Sequence, residues 1–322
     1  MLPPTSTEAA LVFHPPSSRS HLTMSVTAES DFVKLTLGED SVVVALKGAT
    51  VISYIHQNAE RLFASSLSDP SLASSAAVRG GVPVCWPIFG PPPADNPLYS
   101  KLKQHGFART STWEFVGGES GECPEGHGGV KAVFKLEPTE SIRALFSLPF
   151  TLLYTVLLTP QSLKLTLQVQ NPSSAIAPLP FQALLHTYFR LPELVLPAHT
   201  LVTPLENLSF ADKLQGGAVD VERRRVVEVD GPDGEVDRVY YNAPDALKIQ
   251  YKGRTDAVHV TKKGFESVVL WNPGPTTASK IADMEPSGHE RYICLEPGLI
   301  KPFQLLDPGK EWEGSIEIEC EA

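Results

Sequence analysis

Phe150–Pro172 reads FTLLYTVLLTPQSLKLTLQVQNP. Its second half places Leu163, Leu165, Leu167 and Val169 at alternate positions, with Lys164, Thr166, Gln168 and Gln170 between them. Successive side chains of a strand point to opposite faces, so this period of two describes a half-buried strand. Thr159-Pro160-Gln161 interrupts two such runs and predicts a hairpin. The same signature recurs outward along the chain. DFVKLTL (31–37), SVVVALKGATVISYI (41–55, broken at Gly48) and KAVFKL (131–136) read as strands. Further strands are expected near 181–189, 219–229, 236–241, 246–251, 257–261, 267–271, 291–296 and 313–320. TTASKIADM (276–284) could form a turn or two of helix, and little else shows a 3.6-residue period. The 29 prolines are scattered, which rules out long helices. The expected fold is all-β, a large antiparallel β-sandwich. No linker divides the chain after residue 31, so residues 31–322 are expected to form a single domain.

Composition narrows the function. Of 322 residues, 42% are apolar, enough for a packed core. The formal net charge of −10 argues against a nucleic-acid binder, which needs a broad basic face. The dense basic run ERRR (222–225) reads as a solvated strand or loop. Cys85, Cys123, Cys294 and Cys320 form no CxxC pair or zinc spacing, and so few cysteines suit a reducing compartment such as the cytoplasm. No apolar run is long enough to span a membrane. Residues 1–30 are rich in Pro, Ser and Thr and read as a disordered tail, with an organelle transit peptide as the alternative.

The sequence contains no P-loop, no GxGxxG after a strand, no GxSxG and no HExxH, so nucleotide- and metal-dependent chemistries lose their usual support. Four stretches remain. In VRGGVPVCWPIFG (78–90), Arg79 precedes two glycines, where a ligand or a neighbouring backbone could approach closely. Its planar guanidinium suits phosphate oxygens, although an arginine bonding loop carbonyls fits equally. In LKQHGFART (102–110), Gln104 and Arg109 stand on two arms of a short loop around His105. In LPFQALLHTYFRL (179–191), His186 lies mid-strand with Leu184 and Tyr188 on its face, either a satisfied core histidine or a titrating group. In RYICLEPG (291–298), Glu296 reads as the end of a strand, either an edge carboxylate or a partly desolvated general base.

The order of these stretches carries more than any one of them. RGGVPVCWPIFG, LKQHGFAR followed by Trp113, LHTYF, VVLWNP and YICLEPG together resemble the hexose-6-phosphate mutarotases (glucose-6-phosphate 1-epimerases) of the galactose-mutarotase-like superfamily, over residues 31–320. The resemblance implies a supersandwich fold with a hexose 6-phosphate in its concave face, no cofactor, no metal and a monomeric enzyme. It implies His186 and Glu296 as the catalytic pair, Arg79, Gln104 and Arg109 as substrate-binding residues, and the two arginines as phosphate ligands. Asp212, in LSFADKL (208–214), falls where the family carries a sugar-contacting aspartate. Gly274 stands where the family usually shows an aromatic after WNP, which suggests an altered cavity wall, and Trp271 reads as core. An aldose 1-epimerase for unphosphorylated sugars and a non-catalytic sugar-phosphate-binding protein are the alternatives.

Overall fold

The computed structural model describes residues 23–122, 128–229 and 231–321; Cys123 lies outside them. The hairpin forms as its alternation requires: Thr151–Leu158 pairs with Ser162–Gln170, with Leu167 opposite Tyr154. These strands lie inside a nine-stranded sheet. Gly128–Leu136 and Glu114–Glu122 extend it on one side, and Glu311–Cys320, Ala257–Lys263, Ala246–Tyr251, Thr200–Thr203 and Val227–Glu228 on the other. Leu163, Leu165, Leu167 and Val169 are fully buried. At about 1.5–3 kcal/mol per large apolar side chain, this one arm contributes roughly 6–12 kcal/mol before chain entropy is counted.

Opposite lies an eight-stranded antiparallel sheet. Its order is Ala218–Val221, Ser209–Asp212, Glu235–Tyr240, Ser267–Pro273, Tyr292–Leu306, Leu179–Leu185 and Val84–Cys85, with Tyr188–Arg190 also paired to Tyr292–Leu306. A five-stranded sheet from Met24 to Glu60 completes the body. One continuous core joins all three sheets, taking Val33 and Val42 from the smallest and Phe181, Leu185, Leu270, Ile293 and Leu295 from the eight-stranded one. The alternate residues of those same strands point the other way. Leu184, Val239 and Val269 form one small cluster there, Tyr188, Tyr292 and Cys294 another, and Trp271 packs against both. The candidate residues His186 and Glu296 stand on this second face.

Several expectations need correcting. Met24–Ala28, inside the stretch read as a tail, is a strand paired with Phe32–Leu37, and Val26 packs against the core. The run 219–229 is two strands in different sheets, because the chain crosses between them at Glu222, whose buried carboxylate holds Arg224 and the Tyr240 hydroxyl. Glu140–Leu145 forms a short helix capped by the Thr139 hydroxyl, and the other helix covers Gly274–Ala278 rather than starting at Thr276. Glu296 does not end a strand: Tyr292–Leu306 runs on through Pro297-Gly298 in the interior of the sheet. Gly298 is paired on both sides there, opposite Leu184 and Ser267.

Candidate active site

Cross-strand register assembles the site from distant segments. Asp237, Trp271, Cys294 and Tyr188 lie in one transverse row of the sheet, and Val239, Val269 and Glu296 in the next. His186 falls in a two-residue break between the strands Leu179–Leu185 and Tyr188–Arg190, not within a continuous strand. Its backbone N–H turns to Pro83 O (3.0 Å), while its ring keeps the face shared by Leu184 and Tyr188. The imidazole stacks on Tyr188 (4.8 Å, 12°) and meets Trp271 edge-on at 5.6 Å. His186 Nδ1 then lies 3.3 Å from Glu296 Oε1.

These groups open onto a cavity of about 270 Å³ lined by Arg79, Phe89, Gln104, His105, Arg109, His186, Lys213, Asp237, Trp271 and Glu296, among others. Small-molecule sites typically span roughly 300–1,000 Å³, so this one fits a ligand of monosaccharide size. A larger cavity of about 700 Å³ around Arg190 and Tyr251 contains no histidine. The smaller cavity holds the His186–Glu296 pair.

Of the residues expected from sequence, His186, Glu296, Arg79, Gln104 and Arg109 all reach this cavity. Asp212 does not. Its carboxylate accepts from Leu214 N (3.0 Å) and from Arg238 Nε (3.1 Å), which ties it into the strand end. The aspartate in the cavity is Asp237, paired with Lys213 Nζ at 3.0 Å. Lys213 also lies over the Phe89 ring at 4.5 Å. Trp271 is cavity wall rather than plain core. Gly274 is no part of that wall: its φ is +58°, and a Cβ would meet Asp233 O at 2.8 Å, so backbone packing dictates glycine there. Gly81 likewise serves backbone contact, since a Cβ would sit 2.0 Å from Val51 O.

The cations are held in place. Arg79 Nε donates to Asp283 Oδ1 (3.1 Å), and Arg109 Nη2 donates to Gln104 O (2.9 Å). Gly90 N–H donates to His105 Nδ1 at 3.2 Å, so the neutral ring carries its proton on Nε2. That nitrogen is 3.1 Å from the Gln104 amide, whose carbonyl oxygen is the atom suited to face it.

Electrostatics set the pair apart. Burial holds the His186 pKa well below its ordinary value, and His105, Arg109, Arg79 and Lys213 lower it further. Burial pushes Glu296 well above the usual carboxylate range; Lys213 and Arg109 oppose this, and Asp237 adds to it. Both shifts favour neutral forms, as desolvation demands. Neither His186 Nδ1 nor Glu296 Oε2 has a well-directed hydrogen bond among the described residues. Such a pair can take a proton from one ligand oxygen and give one to another.

Lys213, Asp237 and His105 were not singled out as functional by sequence reasoning. Lys213 is adjacent to the aspartate that was, and Asp237 alternates with Val236 and Arg238 in a strand whose partners the sequence does not reveal.

Comparison with known proteins identifies the family. A protein from Cenchrus ciliaris named "Putative glucose-6-phosphate 1-epimerase" is 28% identical over 280 residues, covering 86% of this chain and 80% of its own. One of the same name from Escherichia coli K12 is 28% identical over 286 residues, covering 88% and 87%. The crystal structure of a "putative mutarotase (YeaD)" from Salmonella typhimurium superposes with a TM-score of 0.77 at 24% identity, over 94% of this chain and 95% of that one, and so shares the fold. The pattern characteristic of the aldose 1-epimerases spans residues 32–319, which includes every strand that contributes to the cavity, and the chain belongs to the aldose 1-epimerase family.

Proposed function

We propose that the protein interconverts the α and β anomers of D-glucose 6-phosphate and related hexose 6-phosphates. The observation that carries this reading is the buried His186–Glu296 pair, 3.3 Å apart, in a cavity that also contains Arg79, Arg109 and Lys213. The names of the relatives from Cenchrus ciliaris and Escherichia coli support the same substrate class.

Anomerisation needs one proton removed from the C1 hydroxyl and one delivered to the ring oxygen. In the resting neutral pair the one mobile proton sits on Glu296, and it first passes to His186 across the 3.3 Å gap. The Glu296 carboxylate then takes the O1 proton, and the His186 imidazolium supplies the one to the ring oxygen. The ring C1–O5 bond breaks, leaving an aldehyde at C1 and a hydroxyl at C5. Rotation about C1–C2 presents the other carbonyl face. The C5 oxygen then attacks C1, His186 recovers its proton, and Glu296 returns one to O1. The protein ends as it began, with the stereochemistry at C1 inverted or retained according to the face attacked. Trp271 and Phe89 flank the ring, and Arg79 and Arg109 hold the phosphate through bidentate-capable guanidinium groups. The buried free thiols Cys85, Cys294 and Cys320 support a reducing compartment such as the cytoplasm, and among the described residues no helix is long and apolar enough to cross a membrane.

The test is exchange NMR on the anomers of glucose 6-phosphate and of glucose, with the spontaneous rate subtracted. Faster catalysed exchange of the phosphorylated sugar supports the reading. Equal kcat/KM for both sugars would reduce it to a general aldose 1-epimerase, and binding without exchange would remove the enzymatic reading.

A further inference from the structure

Cys294 has no part in the mechanism above, yet it lies directly beside it. Cys294 and Glu296 are two apart on one strand and share its cavity-side face, with Tyr188 and His186 contributed by the adjoining segment. One ligand atom from each of His186, Cys294 and Glu296 lies within 4.8 Å of the others. Cys294 is fully buried, Glu296 is 1% exposed and His186 7%. His186 Nδ1 and Glu296 Oε2 are both buried and each lacks a directed hydrogen bond among the described residues.

We propose that His186, Cys294 and Glu296 form a binding site for a thiophilic divalent cation of the zinc class, and that the metal arrests the enzyme by occupying its acid–base pair. Tetrahedral zinc, with bonds of about 2.0–2.3 Å, sets its N, O and S ligands roughly 3.4–3.6 Å apart. His186 Nδ1 and Glu296 Oε1 already stand 3.3 Å apart, and the thiol, within 4.8 Å of both, needs to close by at most about 1.4 Å. Imidazole, thiolate and carboxylate make a three-ligand set whose fourth position opens toward the cavity, where water or a sugar hydroxyl completes the shell. On binding, the Cys294 S–H and Glu296 O–H bonds break, both protons pass to solvent, and lone pairs of the sulfur and the carboxylate oxygen go to the metal. Thiolate and carboxylate then balance the two positive charges, which matters beside Arg79, Arg109 and Lys213. A thiolate selects zinc, cobalt or copper over magnesium and calcium, which prefer all-oxygen shells.

The metal site rests on the geometry, and only the loss of activity rests on the proposed acid–base role. The two are separated by titrating the full-length, chelator-treated protein with Co²⁺, which reports a bound thiolate by near-ultraviolet charge-transfer absorption whatever the activity. The expected result is a thiolate band that saturates at one equivalent and that Zn²⁺ abolishes. Zn²⁺ should inhibit anomerisation reversibly with EDTA, and Mg²⁺ should not. Cys294→Ser should lose the band and raise the half-inhibitory Zn²⁺ concentration at least about tenfold, with metal-free turnover within about twofold of wild type. Should that variant fail to fold, Glu296→Gln should weaken Co²⁺ binding by a similar factor. No thiolate band in the folded wild type, or unchanged metal affinity in either variant, overturns the site. A band without anomerase activity keeps the site and removes the proposed function.

Discussion

Glu296→Gln should abolish catalysis and stabilise the protein, and the two effects have one cause. Glu296 is 1% exposed, its Oε2 has no hydrogen-bond partner among the described residues, and its Oε1 lies beside His186 without a directed bond. Losing one positioned proton transfer typically costs roughly 10²–10⁴-fold, or about 3–5 kcal/mol of barrier. Gln keeps a buried acceptor but cannot ionise, so what it relieves is the pH-linked cost of the raised Glu296 pKa, about 1.4 kcal/mol for each pH unit between the ordinary and the folded value. With an unfolding entropy of about 2.1 cal/mol/K per residue over about 300 residues, relief of 1–3 kcal/mol raises Tm by about 2–5 °C. The gain should depend on pH. The folded protein holds the Glu296 proton more tightly than the unfolded chain does, since burial raises its pKa well above 4.5. Its contribution to stability is therefore fully present below that ordinary value and is lost as pH rises toward the folded pKa. His186, depressed well below 6.5, acts in the opposite sense below neutrality, but both proteins carry it, so their difference isolates Glu296 to first order. Calorimetry of the two proteins should find similar Tm values near pH 5 and the variant higher near pH 8, while exchange NMR finds turnover reduced at least about 100-fold. A variant that retains a tenth of wild-type turnover, or that melts lower at pH 8, refutes the reasoning.

Arg79→Met and Arg109→Met should each raise KM for glucose 6-phosphate at least about tenfold while changing glucose turnover little, measured by exchange NMR on both sugars; equal losses on both would refute phosphate anchoring. Asp237→Asn should lower kcat/KM at least about tenfold, because the carboxylate lies in the cavity and holds Lys213. Asp212→Asn should leave kcat/KM within about twofold and cost about 1 kcal/mol of stability through its cap and ion pair, read by thermal melting.

The contrast between Asp212 and Asp237 shows what the sequence discloses and what it hides. Alternation is local, so the hairpin 150–172 could be read directly, and with it the sandwich. Chain order also brought His186, Glu296 and both arginines to one cavity, because the family's motifs mark them. Register is not local. Asp212 stands opposite Arg238, and Asp237, one residue earlier, stands opposite Trp271 on the cavity row. One position on a strand decides which face a carboxylate joins. Glu296 reads as a strand end for a related reason: Pro-Gly normally stops strands, and this one continues because it pairs on both sides, Gly298 opposite both Leu184 and Ser267, which local sequence does not disclose. Met24–Ala28 alternates Met24, Val26 and Ala28 with Ser25 and Thr27, but five residues beside a Pro-, Ser- and Thr-rich stretch are too short a run to stand out, and the pairing with Phe32–Leu37 makes the strand.

In the proposed mechanism the cavity's cations have a second role besides anchoring a phosphate. Ring opening requires the His186–Glu296 pair to hold one mobile proton, whichever partner carries it. Arg109 and Lys213 lower the proton affinity of both groups, and Arg79 lowers that of His186, so in the absence of an anion these charges drive the proton off as pH rises. A sugar phosphate, with about −1.5 to −2 charges near neutrality, cancels that field and retains the proton. The alkaline limb of kcat/KM reports free enzyme and should coincide for glucose and glucose 6-phosphate, whereas the alkaline limb of kcat reports the complex and should lie at higher pH for the phosphorylated sugar. Sulfate, a dianion with little basicity of its own, should move the glucose limb upward at constant ionic strength, and Arg79→Met should weaken that shift. If the kcat limbs for the two sugars coincide, the guanidinium groups position the substrate and have no influence on the proton that the reaction moves.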